Sequence, residues 1–392
     1  MWPLFLSVSL LCVGNHLFIL AAGPRQCRDE NNQPIDWYVL YKLPKTPESN
    51  NKLIKKGVAY LYITSESTSL NWTLSSKDIS ATDSIPGNTL ASLYDNEQES
   101  KELWLLYNDQ PPNRNTGRYG HAKGIVNVDD KEGYWLIHSV PHFPPAPNGG
   151  NEPRRKVSTD NLTIQIPDGA YDYPDSGKNN GQSFLCISLN GEQFDPIGRQ
   201  LMYNQITVYK NNVPVDLGNK FSVLADAAKQ VRVKTAPYNN KAVIKSLDQM
   251  EFISFAKSAK WNKDLYDDFV APDLKTDLLT ETWLNGRGRL PSECNGSRVL
   301  NIESVSIKQA DITFTNSRDH SKWAVANDNK NNSNWVCVGD INRADTQFTR
   351  GGGTVCLNLL RVWKNYRDSV AGIEPCPKQS VSLYQKIKNW FG

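Results

Sequence analysis

Two short triplets hold the residues best suited to chemistry, His121-Ala122-Lys123 and His320-Ser321-Lys322. On an extended strand, residues i and i+2 face the same way, so each triplet sets an imidazole beside an ammonium. That pairing suits a phosphate. The lysine neutralises non-bridging oxygens while the imidazole attacks phosphorus or protonates the leaving oxygen. One copy can perform half of a double displacement, whereas two facing copies supply a nucleophile, an acid and two phosphate clamps without a metal or other cofactor. A lone triplet is weak evidence, because a histidine beside a lysine is commonly just surface. Here, however, two of the chain's five histidines fall in the pattern, on opposite halves. Metal ligation is the rival use of histidine, and the flanking lysines would repel a cation.

Other groups are secondary. His138 is a further active-site candidate or a strand-end histidine bonded to backbone, and His142, in a proline-rich turn, reads as structural or exposed. Asp340 and Asn342 follow a buried-looking strand and could orient a histidine or cap a turn, with capping the simpler reading for Asp340. Arg350-Gly-Gly-Gly-Thr354 could cradle phosphate through backbone N–H groups, but it reads more simply as a hairpin. There is no G-x-S-x-G elbow and no H-E-x-x-H motif.

The elements that must carry these groups are short apolar runs at 35–41, 58–64, 124–128, 134–140, 184–189, 250–255, 299–307 and 335–338, read as strands. Segments 194–203, 220–231, 262–269 and 359–370 have helical character. The mixture predicts a layered α/β (α+β) fold. Each triplet precedes an apolar strand, with a polar corner about a strand pair later. This weak internal repeat predicts two related halves, 24–200 and 201–376, around one composite site. Residues 144–180 are rich in Pro, Gly, Asn and Asp and predict a long loop, and 377–392 form an appended tail.

Residues 1–23 carry no charged side chain, are dominated by apolar residues and end Ala21-Ala22-Gly23, which predicts a secretory signal peptide rather than a membrane anchor. Six cysteines follow it, without C-x-x-C pairs, so three disulfides are expected, with about 15 pairings open. The sequons at Asn71, Asn161, Asn295 and Asn331 fit glycosylation in the secretory pathway. A net charge of +3 in 392 residues gives no global basic field, so nucleic-acid binding would rest on a local groove or on a low working pH.

Over nearly its whole mature length the chain resembles deoxyribonuclease II, the acid DNase family of the phospholipase D-like superfamily. The resemblance rests on 36–44, Gly117-Arg-Tyr-Gly-His-Ala-Lys-Gly124, Trp135-Leu-Ile-His-Ser139, 143–145, 181–186, Asp319-His-Ser-Lys-Trp323, Trp335-Val-Cys-Val-Gly-Asp-Ile-Asn-Arg343 and 350–356. It implies a pseudo-dimer of two related halves, each a mixed β-sheet flanked by helices. It also implies metal-independent hydrolysis of double-stranded DNA at acid pH to 3′-phosphate and 5′-hydroxyl ends through a phosphohistidine. His121, Lys123, His320 and Lys322 would be catalytic, with His138, Asp340 and Asn342 as possible additions, and the disulfides would be Cys27–Cys186, Cys294–Cys376 and Cys337–Cys356. It further implies a secreted or lysosomal protein without stable membrane association after signal removal, and leaves the oligomeric state open. The wider superfamily has an aspartate five residues after the motif lysine, where this chain has Val128 and Asn327. The alternatives are an RNA or phospholipid phosphodiesterase, or a DNA-binding or host-interaction protein that has lost catalysis.

Overall fold

A computed structural model describes residues 25–95, 101–112, 119–147, 156–159, 162–165 and 169–377. The expected signal peptide, the Asn161 sequon and nearly all of the expected tail lie outside the described residues. One eight-stranded sheet contains β1 (Trp37–Lys42), β2 (Tyr60–Thr64), β3 (Thr73–Leu74), β4 (Leu103–Asn108), β5 (Lys123–Val128), β6 (Glu132–His138), β7 (Gln182–Asn190) and β8 (Val208–Asn212), ordered β8-β4-β5-β6-β7-β1-β2-β3. A nine-stranded sheet contains β9 (Asn239–Lys245), β10 (Glu251–Lys257), β11 (Leu278–Thr282), β12 (Val299–Ile307), β13 (Ile312–Thr315), β14 (Lys322–Ala326), β15 (Trp335–Gly339), β16 (Gly352–Asn358) and β17 (Val370–Ile373). Its order is β9-β10-β16-β15-β14-β11-β12-β13, with β17 also on β12. The fold is mixed α/β with two large sheets.

The run β4-β5-β6-β7-β1 in one sheet matches β11-β14-β15-β16-β10 in the other, and every neighbouring pair in both runs is antiparallel. Each triplet lies at the start of the second strand of its run. These strands read as apolar runs because both faces are covered. In β5, Val126 and Val128 enter the central cluster shared by the two sheets and Ile125 enters the outer cluster of its own sheet. In β14, Trp323 and Val325 enter the central cluster and Ala324 the outer one. Strands β4 and β11, absent from the expected strand list, sit beside the motif strands. The apolar run Leu103–Tyr107 carried a usable signal, whereas Glu281 interrupts the shorter run at 278–282.

Helix α1 (Phe194–Asn204) buries Phe194, Ile197 and Leu201 in the central cluster. It ends at Gln205 with φ 53°, a left-handed termination. Helices α2 (Ser222–Ala228) and α3 (Leu360–Asp368) fall inside segments read as helical, while the segment read as helical at 262–269 enters a π-helix, Tyr266–Val270, that continues as α-helix over Ala271–Leu274. Strand β8 lies beyond residue 200, where the sequence divides the halves, yet it pairs with β4 of the first sheet. Part of the expected 144–180 loop forms an antiparallel pair, Lys156–Thr159 with Leu162–Gln165. The disulfides are Cys27–Cys186, Cys294–Cys376 and Cys337–Cys356, the last joining directly opposed residues of β15 and β16. Asn71, Asn295 and Asn331 are exposed. No described helix is long and apolar enough to cross a membrane.

Candidate active site

Each motif histidine is tied by its backbone to the opposite half. The His121 N–H donates to the carbonyl of Gly351 at 2.8 Å, and the His320 N–H donates to that of Gly181 at 2.9 Å. Gly181 and Gly351 precede β7 and β16, corresponding strands in the two sheets. Neither position tolerates a side chain: a Cβ on Gly351 would lie 2.5 Å from the Asn204 carbonyl oxygen, and one on Gly181 would lie 2.3 Å from Asp319 Oδ1. Glycine at 351 therefore permits the close approach of the C-terminal end of α1. The glycine run stands where the connection from β15 returns into antiparallel β16, as the hairpin reading expects, and close packing is a further reason for glycine there.

Around His121 the site is crowded with charge. The imidazole is buried, with Nδ1 3.1 Å from Gln347 Oε1 and Nε2 3.9 Å from both Asp109 Oδ2 and Asp340 Oδ1. An amide oxygen only accepts, so the tautomer that satisfies the Gln347 contact carries its proton on Nδ1 and leaves the Nε2 lone pair free. Burial holds His121 well below its usual pKa, opposed by Asp109 and reinforced by Lys123, Arg350 and Lys322. Lys123 Nζ is ion-paired with Asp109 and lies 3.5 Å from Asp340 Oδ1. Arg350 Nη2 donates to Asp109 Oδ2 at 2.9 Å. Burial pushes Asp109 up, but Lys123, His121 and Arg350 outweigh it and hold the carboxyl below the ordinary range. Asp340 is raised to about 6, by burial first, with Lys123 opposing and Asp109 reinforcing. Its carboxylate thus faces the first motif, a role beyond the turn capping its sequence suggested.

The second motif is built differently. Lys322 Nζ donates to the His320 carbonyl at 2.6 Å and makes no carboxylate ion pair among the described residues. Burial and Lys123 lower its pKa to about 8. His320 stands edge-on to Trp283, with ring centroids 3.8 Å apart, and its Nε2 is buried without a hydrogen-bond partner among the described residues. Burial, then Lys322, Lys123 and Lys42, lower its pKa to about 3. Lys322 acts on His121 and Lys123 on His320, while Asp340 faces both lysines. The charge of each motif lysine thus lowers the basicity of the other motif's histidine.

Asp319, just before His320, accepts from Tyr41 Oη and, at 2.9 Å, from the Ser321 N–H. Glu281 is fully buried with neither carboxyl oxygen hydrogen-bonded among the described residues, and burial pushes it well above the usual carboxyl range. His138 lies one register step past the Gly124–Ile137 pair, fully buried between Phe143 and Phe184, and its Nδ1 accepts the Val140 N–H at 3.2 Å. Its geometry is that of the strand-end alternative. His142 has φ 61° and its Nδ1 lies 2.8 Å from the Pro111 carbonyl. Asn342 is half-buried with Oδ1 unpartnered among the described residues.

Asp109, Gln347, Trp283 and Glu281 were not among the sequence candidates, and Arg350 stood there only as the first residue of the glycine run. Register could have found two: Asn108 opposes Lys123 and Thr282 opposes Lys322, so Asp109 and Trp283 each follow a motif lysine's partner. Asp109, His121 and Asp340 have donor atoms within 4.8 Å of one another, near enough to share a metal ion. The Lys123 ammonium already lies against both carboxylates and supplies a positive charge there.

The family model described as Deoxyribonuclease II matches residues 26–376. Plancitoxin-1 of Acanthaster planci is 37% identical over 89% of this chain and 92% of its own. Mouse deoxyribonuclease-2-alpha is 35% identical over 92% and 96%, and cell death-related nuclease 6 of Caenorhabditis elegans is 32% identical over 96% and 94%. With a family match across all but the ends and relatives covered almost end to end, the chain belongs to the deoxyribonuclease II family.

Proposed function

We propose that this protein is an acid endodeoxyribonuclease that hydrolyses double-stranded DNA without a metal ion, leaving 3′-phosphate and 5′-hydroxyl ends. The observation that carries the reading is that His121 and Lys123 are held against Gln347, Asp340 and Gly351 of the half that carries the second motif. Family membership gives the substrate class. The scissile phosphate sits between the Lys123 and Lys322 ammoniums, which balance its charge.

His121 Nε2 attacks phosphorus, supported by the proton assignment on Nδ1 and by a neutral imidazole. The P–O5′ bond breaks as His320 donates a proton to the leaving oxygen. Water then attacks the phosphohistidine, giving its proton to His320, and the P–N bond breaks to release the 3′-phosphate. Burial and the neighbouring ammoniums depress His320 to about 3, so acid solution alone leaves it mostly neutral near pH 5. The phosphodiester anion between the ammoniums offsets the repulsion from Lys322 and Lys123 and raises its proton affinity. Disulfide-bonded and sequon-bearing, the chain works in a lysosomal or extracellular compartment.

The test is nicking of supercoiled plasmid in EDTA at about pH 5. The wild-type protein is expected to cut, and His121→Ala and His320→Ala are each expected to lose at least about 1,000-fold in rate. Full activity in both variants overturns the mechanism. Intact RNA and phosphatidylcholine alongside cleaved plasmid would separate the DNase from its phosphodiesterase alternatives.

A further inference from the structure

On the His121 side of the site, a run of cations that have no carboxylate partner among the described residues continues across the surface. Tyr119 is 38% exposed two residues before His121, and the Arg232 guanidinium lies 3.8 Å over its ring. The Arg232 Nε is buried without a hydrogen-bond partner among the described residues. The Tyr119 carbonyl accepts from Arg350 Nε at 2.9 Å, which joins this stack to the Asp109 cluster. Further out, Lys260 Nζ stands 5.4 Å from the Tyr238 ring and donates to the Lys234 carbonyl at 3.1 Å. Lys234 and Lys260 are exposed. Among the described residues, no carboxylate forms an ion pair with Arg232, Lys234 or Lys260. The next cation, Lys263, lies 3.7 Å from Asp268 and marks where the unbalanced run stops.

The run is fastened to the active site. Gly120 N–H donates to the Gln205 carbonyl at 3.0 Å, and Gln205 Oε1 accepts from the Ala259 N–H at 3.1 Å. Lys257 Nζ donates to the carbonyls of Gln347, Phe348 and Arg350. The segment carrying Lys260 is thus held against the loops that position His121.

We propose that Arg232, Lys234 and Lys260, with Tyr119 and Tyr238 under them, form the track that carries the DNA backbone away from the scissile phosphate. This deepens the reading given under Proposed function and rests on it. An arginine stacked on an aromatic face keeps its donor fork oriented toward phosphate, while exposed lysines act as point charges. Contacts of this kind bind regularly spaced phosphates without reading bases. The net charge of only +3 makes local concentration necessary.

The experiment compares the full chain with Lys234→Glu/Lys260→Glu, and separately with Arg232→Ala, on linear duplex DNA and on bis(4-nitrophenyl) phosphate. The small diester reaches the catalytic groups but not the track. For the double variant, KM for DNA should rise at least tenfold and the slope of log KM against log salt should fall by about two. Turnover of the small diester should change less than twofold. Unchanged KM and salt slope on DNA, with the wild-type protein active, overturn the track alone. Loss of small-diester turnover in both variants also overturns it, because these side chains would then be holding the site together. A wild-type protein inert on DNA overturns the underlying reading instead.

Discussion

At the residue scale, the two motifs are unequal. Lys123 is bound to Asp109 and close to Asp340, while Lys322 makes no carboxylate pair among the described residues. Two ionised carboxylates beside His121 would compete with phosphate for Lys123. Asp340, raised to about 6, is mostly protonated at pH 5 and mostly ionised at pH 7. DNA cleavage should therefore fall as pH rises through about 6. Asp340→Asn should move the midpoint of that alkaline limb up by about one pH unit, whatever it does to the maximum rate. A pH profile on plasmid with the same midpoint in both proteins assigns the limb to another group. Asp340 and the two triplets could be nominated from sequence. Gln347 could not, because it meets His121 across 226 positions.

At the element scale, β11 carries a carboxyl into the interior beside the second motif. Glu281 has a folded pKa well above 4.5, so between 4.5 and that value the unfolded chain loses a proton that the folded chain keeps. Its stabilising contribution is complete below pH 4.5 and is lost as pH rises toward the folded value. The limiting slope is about 1.4 kcal/mol per pH unit. Glu281→Gln, isosteric with the protonated acid, should match the wild type in urea unfolding near pH 4. At pH 7 it should be more stable, by about 1–3 kcal/mol. Parallel stability curves across this range would show that Glu281 keeps an ordinary pKa. Strand β11 was hard to read because this acid interrupts a short apolar run, whereas β5 and β14 were legible as apolar strands directly after their triplets.

At the scale of the whole molecule, the site depends on how the two sheets meet. Backbone bonds from His121 to Gly351 and from His320 to Gly181 cross between the halves, and the central cluster joins residues of both sheets. Gly351→Ala places a Cβ 2.5 Å from the Asn204 carbonyl oxygen at the end of α1. It should lower stability by about 2–4 kcal/mol and reduce cleavage of both DNA and a small phosphodiester. Thermal melts and kinetics that match the wild type would mean the junction can yield without moving His121.

The sequence by itself nominated candidate reacting groups and determined the number of disulfides expected, a mixed α/β character and, through resemblance, the family. Those features are local: a triplet, a cysteine count and an apolar run need few neighbours to be read. Tertiary structure decided which acids and amides surround each histidine. Asp109 meets Lys123 across a β4–β5 hairpin, Arg350 reaches Asp109 from 241 positions away, and β8 crosses the division expected near residue 200. It also decided the basicity of both motif histidines, which burial and neighbouring ammoniums leave below that of free imidazole. Charge and burial act through space, so residues remote in sequence set the chemistry of two motifs that are nearly identical in sequence.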